Sequence, residues 1–200
     1  MEHIRKANNQ DLPYLYEISL KTALSGLDGT DFFFDPFCVG HYYAAPYLFF
    51  EPDLCFVALN QIEQPCGYIV GTSNTEAFNK WMQETWLPPL RAQYKNRTQF
   101  KCKSEEQIIS LICKGPGEGI WEHVGYPAHM HINLLPDLQG KGLGKGLMLT
   151  FFDVLKEKGV SGVHLGVDGR NTHAIGFYEK MGMTILKNLQ WGTIFGKHLD

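Results

Sequence analysis

The chain has 200 residues, of which 44% are hydrophobic and 20% charged, and its formal net charge is −3. These values are typical of a globular protein in water, and the length allows one domain to bury a full core. The negative charge argues against a nucleic-acid binder, and no apolar run reaches the roughly 18–20 residues needed to cross a bilayer. We expect a single domain over residues 1–200, with no nucleic-acid partner and no membrane partner.

The first residues lack the apolar centre of a signal peptide. The five cysteines are odd in number and form no C-x-x-C pair. A disulfide framework and a zinc site are therefore both poorly supported. We expect reduced thiols, no bound metal and a cytoplasmic protein.

The first half of the chain begins with a short strand over residues 4–7, followed by a helix capped by Asn9 or Asp11. A loop rich in Gly and Asp then leads into an aromatic, partly helical segment. Two apolar runs at 55–60 and 66–72 flank a polar connection and predict a β-hairpin.

Residues 74–115 have the composition of a helical insertion. Its second helix is predicted to start with a capping box formed by Ser104 and Gln107. The composition thus predicts that the run of strands is interrupted here.

The second half of the chain alternates strands and helices. A strand at 129–136 precedes a glycine-rich loop and an amphipathic helix that Gly159 closes. A strand at 162–167 precedes a helix capped by Asn171 or Thr172, and two strands follow near 183–187 and 193–199. Interleaved strands and helices predict a layered α/β fold.

The glycine-rich loop reads QGKGLGKG over residues 139–146. Glycine at this density allows backbone N–H groups to surround an anion, although a flexible turn without a ligand is the simpler alternative. The dinucleotide pattern G-x-G-x-x-G fails, because its third glycine would fall on Lys145 or Leu147. The G-x-x-x-x-G-K-[ST] pattern also fails, because neither Gly-Lys pair is followed by Ser or Thr.

The spacing that matches is Gln-x-x-Gly-x-Gly at Gln139, Gly142 and Gly144. It resembles the pyrophosphate loop of the GCN5-related N-acetyltransferase superfamily. The resemblance implies a mixed, mostly antiparallel sheet flanked by helices and splayed between its fourth and fifth strands. It also implies acetyl-coenzyme A as co-substrate. The residues implied to bind it are Leu134, Leu135, Gln139, Gly140, Lys141, Gly142, Leu143, Gly144, Lys145, Asn171, Phe177 and Tyr178.

A second stretch, HLGVDGRNTHAIGFYEKMGM, resembles the other signature of that superfamily. The resemblance implies that Asn171 contacts the coenzyme and that Tyr178 is the general acid for the leaving thiolate. A phenol is protonated at neutral pH and can donate to a forming thiolate. It further implies that the Leu134 N–H contacts the acetyl carbonyl. Asn133 either marks a bulge that splays this strand or occupies a solvated position.

Two histidines, His129 and His131, alternate on the same strand and therefore share one face. Histidine suits the deprotonation of an ammonium group near neutral pH, directly or through water. The pair resembles the A-H-x-H segment of arylalkylamine acetyltransferases, which implies a general base. The alternative is that one ring packs in the core and the other is solvated. His164 is expected to be structural.

The acceptor side has weaker signals. Asp28, Asp31 and Asp35 could attract a cationic amine, although Asp is also a common turn residue. The acceptor cleft could be lined by Tyr42, Tyr43, Tyr47 and Trp121, although aromatic packing explains these residues as well. The expected partner is a small-molecule or peptide amine, and the oligomeric state is not predicted.

Nearly the whole chain, including the 74–115 insertion, resembles the acetyltransferase-like C-terminal domain of the eukaryotic O-GlcNAc hydrolase and its free-standing bacterial relatives. In the eukaryotic domain the glycine loop is degraded, whereas Gln139, Gly140, Gly142 and Gly144 are intact here. The resemblance implies an N-acetyltransferase that transfers acetyl directly to an amine. The alternative is an inactive coenzyme A-binding or protein-interaction module.

Overall fold

A computed structural model describes residues 3–116 and 125–199. Within these residues, the strands are β1 (His3–Lys6), β2 (Cys55–Leu59), β3 (Pro65–Thr72), β4 (Ala128–Leu134), β5 (Gly162–Asp168), β6 (Thr184–Leu189) and β7 (Gly192–His198). They form one sheet in the order β1-β2-β3-β4-β5-β7-β6. Neighbouring strands are antiparallel except β4 and β5, which are parallel.

The helices of the described residues are α1 (Leu12–Lys21), α2 (Cys38–Tyr43), α3 (Ala45–Phe50), α4 (Thr75–Trp81), α5 (Leu87–Tyr94), α6 (Lys103–Lys114), α7 (Leu143–Glu157) and α8 (Thr172–Lys180). A π-helical segment, Met82–Trp86, joins α4 to α5. No helix in the described part of the chain has the length and apolarity required to traverse a bilayer.

The sheet separates two hydrophobic clusters. Alternate residues of each strand point to opposite faces, so β2 sends Val57 to one cluster and Phe56 to the other. One cluster lies against α1, α3 and the helical insertion, and we call this side the α1 face. The other lies against α7 and α8, and we call it the α7 face. Burial of helices on both faces is what makes this an α/β layered fold.

The sheet splits between β4 and β5. These strands pair only at Ala128–Val163 and His129–His164, near their starts. On its other side β4 pairs with β3 in an uninterrupted register from His129 to Leu134. The gap beyond the His129–His164 pair is called here the β4–β5 opening. The mixed sheet, its flanking helices and the splay between the fourth and fifth strands are thereby confirmed.

Local corrections concern helix starts and one strand end. Asn8 caps a 3-10 turn, Asn9–Asp11, that precedes α1, because its side chain accepts from the Gln10 N–H. Asp11 occupies the N-cap position of α1, as one of the two predicted residues, but its side chain makes no cap hydrogen bond there. The Cys102 sulfur accepts from the Glu105 N–H, so the predicted box of Ser104 and Gln107 is wrong. β4 ends before Pro136, which cannot donate a backbone hydrogen bond.

The prediction that Asn133 marks a bulge is also wrong, because its pairing with Tyr68 is regular. Its side chain instead donates to the Thr22 hydroxyl at the end of α1. Asn133 therefore ties β4 to α1 beside the β4–β5 opening.

The insertion is anchored by Glu105, whose side chain is fully buried. Its carboxylate accepts from the N–H groups of Phe34, Asp35 and Lys101 and from the Arg97 guanidinium. Because three separate segments meet at this group, it fixes α6 against the loop that precedes α2.

Candidate active site

The β4–β5 opening presents unpaired backbone of β4. The Leu135 N–H donates to the Cys66 carbonyl at 2.9 Å and so points toward β3. Because N–H directions alternate along a strand, the backbone N–H groups of Ile132 and Leu134 point toward the opening. No strand among the described residues pairs with β4 there. The opening thus offers extended backbone that a ligand with amide groups can pair with.

The glycine loop lies between β4 and α7, at the carboxyl end of β4. Gly140 and Gly142 have φ of 76° and 86°, values that residues other than glycine rarely adopt. Apart from the adjacent residues, no atom of the described part of the chain lies within 4 Å of where a Cβ on either would be. The glycines are required by the backbone conformation and leave room for a ligand.

Gln139 braces this loop. Its Nε2 donates to the Leu134 carbonyl at 3.0 Å, which joins the start of the loop to the end of β4. The Gln139 side chain is therefore engaged with the protein.

The amino terminus of α7 follows directly, with Gly142 as its N-cap residue. The first N–H groups of a helix lack intrahelical partners and carry the positive end of the helix dipole. Lys141 and Lys145 are exposed beside them, while Leu143 is buried and anchors the turn. This combination of donors and cations favours a phosphate group.

The opposite border of the opening is formed by the start of α8. The Asn171 side chain accepts from the Ala174 N–H at 3.1 Å and caps the helix, as expected from the sequence. Phe177 reaches within 3.4 Å of the Cβ position of Gly144, so α8 packs on the first turn of α7. The first turn of α7 therefore lies beside α8.

Tyr178 lies on the buried side of α8 and is 7% exposed. Its ring packs beside Phe177 and Phe195 on the α7 face. Burial raises the pKa of the phenol above its ordinary value. The hydroxyl is thus protonated at neutral pH and able to donate a hydrogen bond.

Both ring nitrogens of His129 are hydrogen-bonded to side chains of the protein. Nε2 lies 2.8 Å from the Tyr47 hydroxyl, and Nδ1 lies 2.9 Å from the Thr75 hydroxyl. Loss of hydration, with His131 and His164 nearby, lowers its pKa well below the usual histidine value. His129 is a neutral ring with no nitrogen left for a substrate.

His131 sits on the same face of β4, between aromatic rings. Its ring centroid lies 5.0 Å from Tyr43 and 5.4 Å from Tyr47. No hydrogen bond to the His131 ring occurs within residues 3–116 and 125–199. Loss of hydration lowers its pKa to about 4, so the ring is neutral near pH 7 with both nitrogens available to a substrate or water. The structure thus separates the two histidines that the sequence left equivalent.

His164 is 2% exposed, and its Nδ1 lies 2.9 Å from the Tyr126 carbonyl. It pairs with His129 across the joined ends of β4 and β5, with ring centroids 5.8 Å apart. These contacts are those of a structural residue.

The family model described as the acetyltransferase (GNAT) family matches residues 23–183, which is well over half of the chain. The chain belongs to this family. A crystal structure described as SsHAT matches with a TM-score of 0.88 and 33% identity, and it covers 100% of this chain and 98% of its own. The GNAT fold of the present chain is therefore shared over its full length.

Two further comparisons extend this result. Protein O-GlcNAcase of Rattus norvegicus is 25% identical over 181 residues, which are 90% of this chain and 20% of that protein. The chain thus spans about a fifth of that relative, and the resemblance to its acetyltransferase-like region is confirmed. A putative acetyltransferase from Salmonella typhimurium, solved with its cofactor acetyl-CoA, shares the fold with a TM-score of 0.58 and 15% identity over 100% of this chain and 95% of its own.

In this GNAT chain the three predicted acidic residues lie in the loop between α1 and α2. Asp28 accepts from the N–H and hydroxyl of Thr30, which is an ordinary turn contact. Asp31 is exposed. Asp35 accepts from the Tyr94 hydroxyl at 2.6 Å and faces Arg97 at 3.7 Å. Trp121 lies outside the described residues.

Sequence reasoning missed the contacts that His129 makes with Tyr47 and Thr75. Tyr47 was expected to line the acceptor cleft or to pack among aromatic rings, and Thr75 was assigned only to a helical segment. They contact His129 from positions 82 and 54 residues away. A buried histidine predicts hydrogen-bond partners, but the sequence does not indicate which distant hydroxyls they are. No group of three or more His, Cys, Asp or Glu side chains in the described ranges is arranged to hold a metal ion.

Proposed function

We propose that this chain is an acetyl-coenzyme A-dependent N-acetyltransferase that transfers the acetyl group directly to an amine. Membership of the family supports acetyl transfer in general, because GNAT proteins are acyltransferases with acetyl-coenzyme A as co-substrate. The observation that carries the proposal is the β4–β5 opening, with an intact glycine loop and helix start at its border.

Binding of the co-substrate is assigned to backbone groups. In this proposal the pyrophosphate lies on the N–H groups from Gly140 to Gly144, with Lys141 and Lys145 adding positive charge. The amide-bearing arm lies along β4 as an extra strand, opposite Leu134 and Leu135. Asn171 and Phe177 border it on the α8 side. The proposal is supported by the left-handed glycines of the loop and by the backbone of β4 that no described strand pairs with.

The acetyl transfer itself is assigned to three groups. The amine nitrogen attacks the thioester carbon, a C–N bond forms and the C–S bond breaks. The Leu134 N–H donates to the carbonyl oxygen while that oxygen carries negative charge. The leaving sulfur receives the hydroxyl proton of Tyr178, whose raised pKa keeps that proton in place until the thiolate forms.

The general base is assigned to His131 rather than His129. The nitrogen that forms the new bond must lose a proton, and His131 has nitrogens that no described residue occupies. Its lowered pKa makes it a weak base, so transfer through water to solvent fits better than direct abstraction of a proton from a strongly basic ammonium. The acceptor is proposed to be a small-molecule or peptide amine, approaching from the α1 face where His131 points.

A cytoplasmic location is part of the proposal. All five cysteines are free thiols, as expected for a protein in a reducing compartment.

The proposal is tested by measuring release of the coenzyme thiol over a panel of alkylamines, aminosugars and amino-terminal or lysine peptides. Tyr178→Phe removes only the hydroxyl and should lower kcat by about 100-fold, the scale of a general acid, without changing co-substrate affinity. His131→Ala should lower kcat on a similar scale. His3→Ala, at an exposed position on β1, should leave kcat as in the wild type.

Co-substrate affinity is measured separately by titration calorimetry. Acetyl-coenzyme A binding without thiol release for any acceptor would contradict the enzymatic proposal and favour the inactive module. Unchanged turnover in Tyr178→Phe would remove that residue from the mechanism.

A further inference from the structure

The hydroxyl of Thr75 has a fixed direction. Thr75 begins α4, and its Oγ1 lies 2.7 Å from the Pro127 carbonyl oxygen. A carbonyl oxygen only accepts hydrogen bonds, so the Thr75 hydroxyl donates to it. Since a threonine hydroxyl has one proton, the 2.9 Å contact between Oγ1 and Nδ1 of His129 must be one in which Thr75 accepts.

The tautomer of His129 follows from this direction. Nδ1 carries the proton that Thr75 accepts. The ring is neutral, because its surroundings lower its pKa, so Nε2 keeps its lone pair. The Tyr47 hydroxyl, 2.8 Å away, therefore donates to Nε2. The donor of each hydrogen bond from Tyr47 through His129 and Thr75 to Pro127 is thus assigned, because the Pro127 carbonyl only accepts and the neutral His129 ring carries one proton.

Tyr47 connects these hydrogen bonds to His131 through a contact between their rings. The Tyr47 ring stacks on Phe78, with centroids 4.3 Å apart and planes within 12°. It also meets the His131 ring edge-on, with planes at 65°. Tyr43 contacts His131 from another side at 66°. Because the described residues give the His131 ring no hydrogen bond, its imidazole is oriented by ring contacts, which are made by Tyr43, Tyr47 and His129.

We propose that Thr75, His129 and Tyr47 form a positioning chain for His131. Thr75 sets the tautomer of His129, His129 holds the Tyr47 hydroxyl, and the Tyr47 ring orients the His131 imidazole. His129 is then a positioning residue and not the base. This inference rests on the proposed function, in which His131 accepts the proton. The titratable groups that face His129 are Tyr47 from α3, His131 on its own strand and His164 on β5.

The tautomer is tested without any activity measurement. Nitrogen-15 NMR of the histidine rings at pH 7 identifies which nitrogen carries the proton, and the wild-type protein should show His129 with Nδ1–H. Thr75→Val keeps the side-chain shape but removes the acceptor, so His129 should switch to Nε2–H and donate to Tyr47. Thr75→Ser retains the hydroxyl and should retain Nδ1–H. An Nε2–H ring in the wild type, or Nδ1–H in Thr75→Val, overturns the proposal.

The effect on His131 is tested by kinetics with a matched control. Tyr47→Phe retains the ring but releases it from His129, and kcat should fall about tenfold or more while KM for the amine changes little. Tyr16→Phe breaks a tyrosine–histidine contact of the same length, 2.8 Å to His41 between α1 and α2, and should retain wild-type kcat. Equal kcat values in the two variants overturn the proposal. Because NMR decides the tautomer even if no acceptor is turned over, this failure is distinguishable from failure of the proposed function.

Discussion

Gly142 and Gly159 adopt the same left-handed backbone at opposite ends of α7. Their φ values are 86° and 72°, and a Cβ on either would meet no atom within 4 Å. A side chain at either position therefore causes backbone strain of about 1–2 kcal/mol and no steric clash. The two residues differ only in place: one borders the β4–β5 opening, and the other closes the helix far from it.

This pair gives a prediction at the residue scale. Gly142→Ala should weaken acetyl-coenzyme A binding by about tenfold, the equivalent of about 1.4 kcal/mol, because the loop relaxes away from the conformation that surrounds the anion. Gly159→Ala should cost similar stability and leave affinity unchanged. Titration calorimetry measures the affinity, and urea unfolding measures the stability. Unaltered affinity in Gly142→Ala would exclude the loop as the pyrophosphate site.

At the scale of elements, the insertion is held by one buried carboxylate. Glu105 neutralises Arg97 and accepts from three backbone N–H groups that have been removed from water. Such a group contributes to stability mainly through the donors that would lose their partner without it. The helical insertion and the loop before α2 are therefore expected to loosen together.

Replacement of this carboxylate is the second prediction. Glu105→Ala should lower the free energy of unfolding by about 3 kcal/mol, since it leaves the buried donors and Arg97 without their acceptor. Its neighbour Glu106 is exposed, and Glu106→Ala should change stability by less than about 0.5 kcal/mol. Urea denaturation of both variants makes the comparison. Equal losses in the two variants would contradict the anchoring role.

At the scale of the whole molecule, stability should depend on pH through neutral buried histidines. Burial lowers the pKa of His41, His129 and His131, the last to about 4. In the unfolded chain these histidines bind protons near pH 6.5, whereas in the native protein they bind them only at lower pH. Between the unfolded and the native pKa values, the unfolded state therefore holds more protons. The contribution of these neutral rings to the free energy of unfolding should be complete above pH 6.5 and should decrease as pH falls toward 4.

This decline is the third prediction. The free energy of unfolding, measured by urea denaturation from pH 7.5 to 4.5, should fall with a slope of up to about 1.4 kcal/mol per pH unit for each histidine involved. His131→Phe should reduce the slope, because one titrating group is removed. The aspartates with lowered pKa act at more acidic pH and leave this window to the histidines. A flat profile above pH 5 would show that these rings are not held neutral.

Much of the fold was predictable because it is encoded locally. The hairpin of β2 and β3, the glycine loop and the Asn171 cap each depend on neighbouring residues or fixed spacing. The cap at Cys102 was missed because a thiol is an uncommon acceptor, and Ser104 offered a more familiar pattern. The roles of His129 and His131 could not be separated from sequence, since the difference arises from Tyr47 and Thr75, which only the tertiary fold brings to one of the two rings.

The split between β4 and β5 has a consequence for how the sheet meets other chains. An open sheet has two outer edges, where any extended chain can add and aggregation can begin. Divergence of these strands creates two more edges inside the molecule, closed at one end by the His129–His164 pair. The strands are unpaired at the end that carries the glycine loop, where an extended molecule has free backbone of β4 to pair with. In the proposed function, these inner edges pair with a ligand that carries amides at one end and an anion at the other.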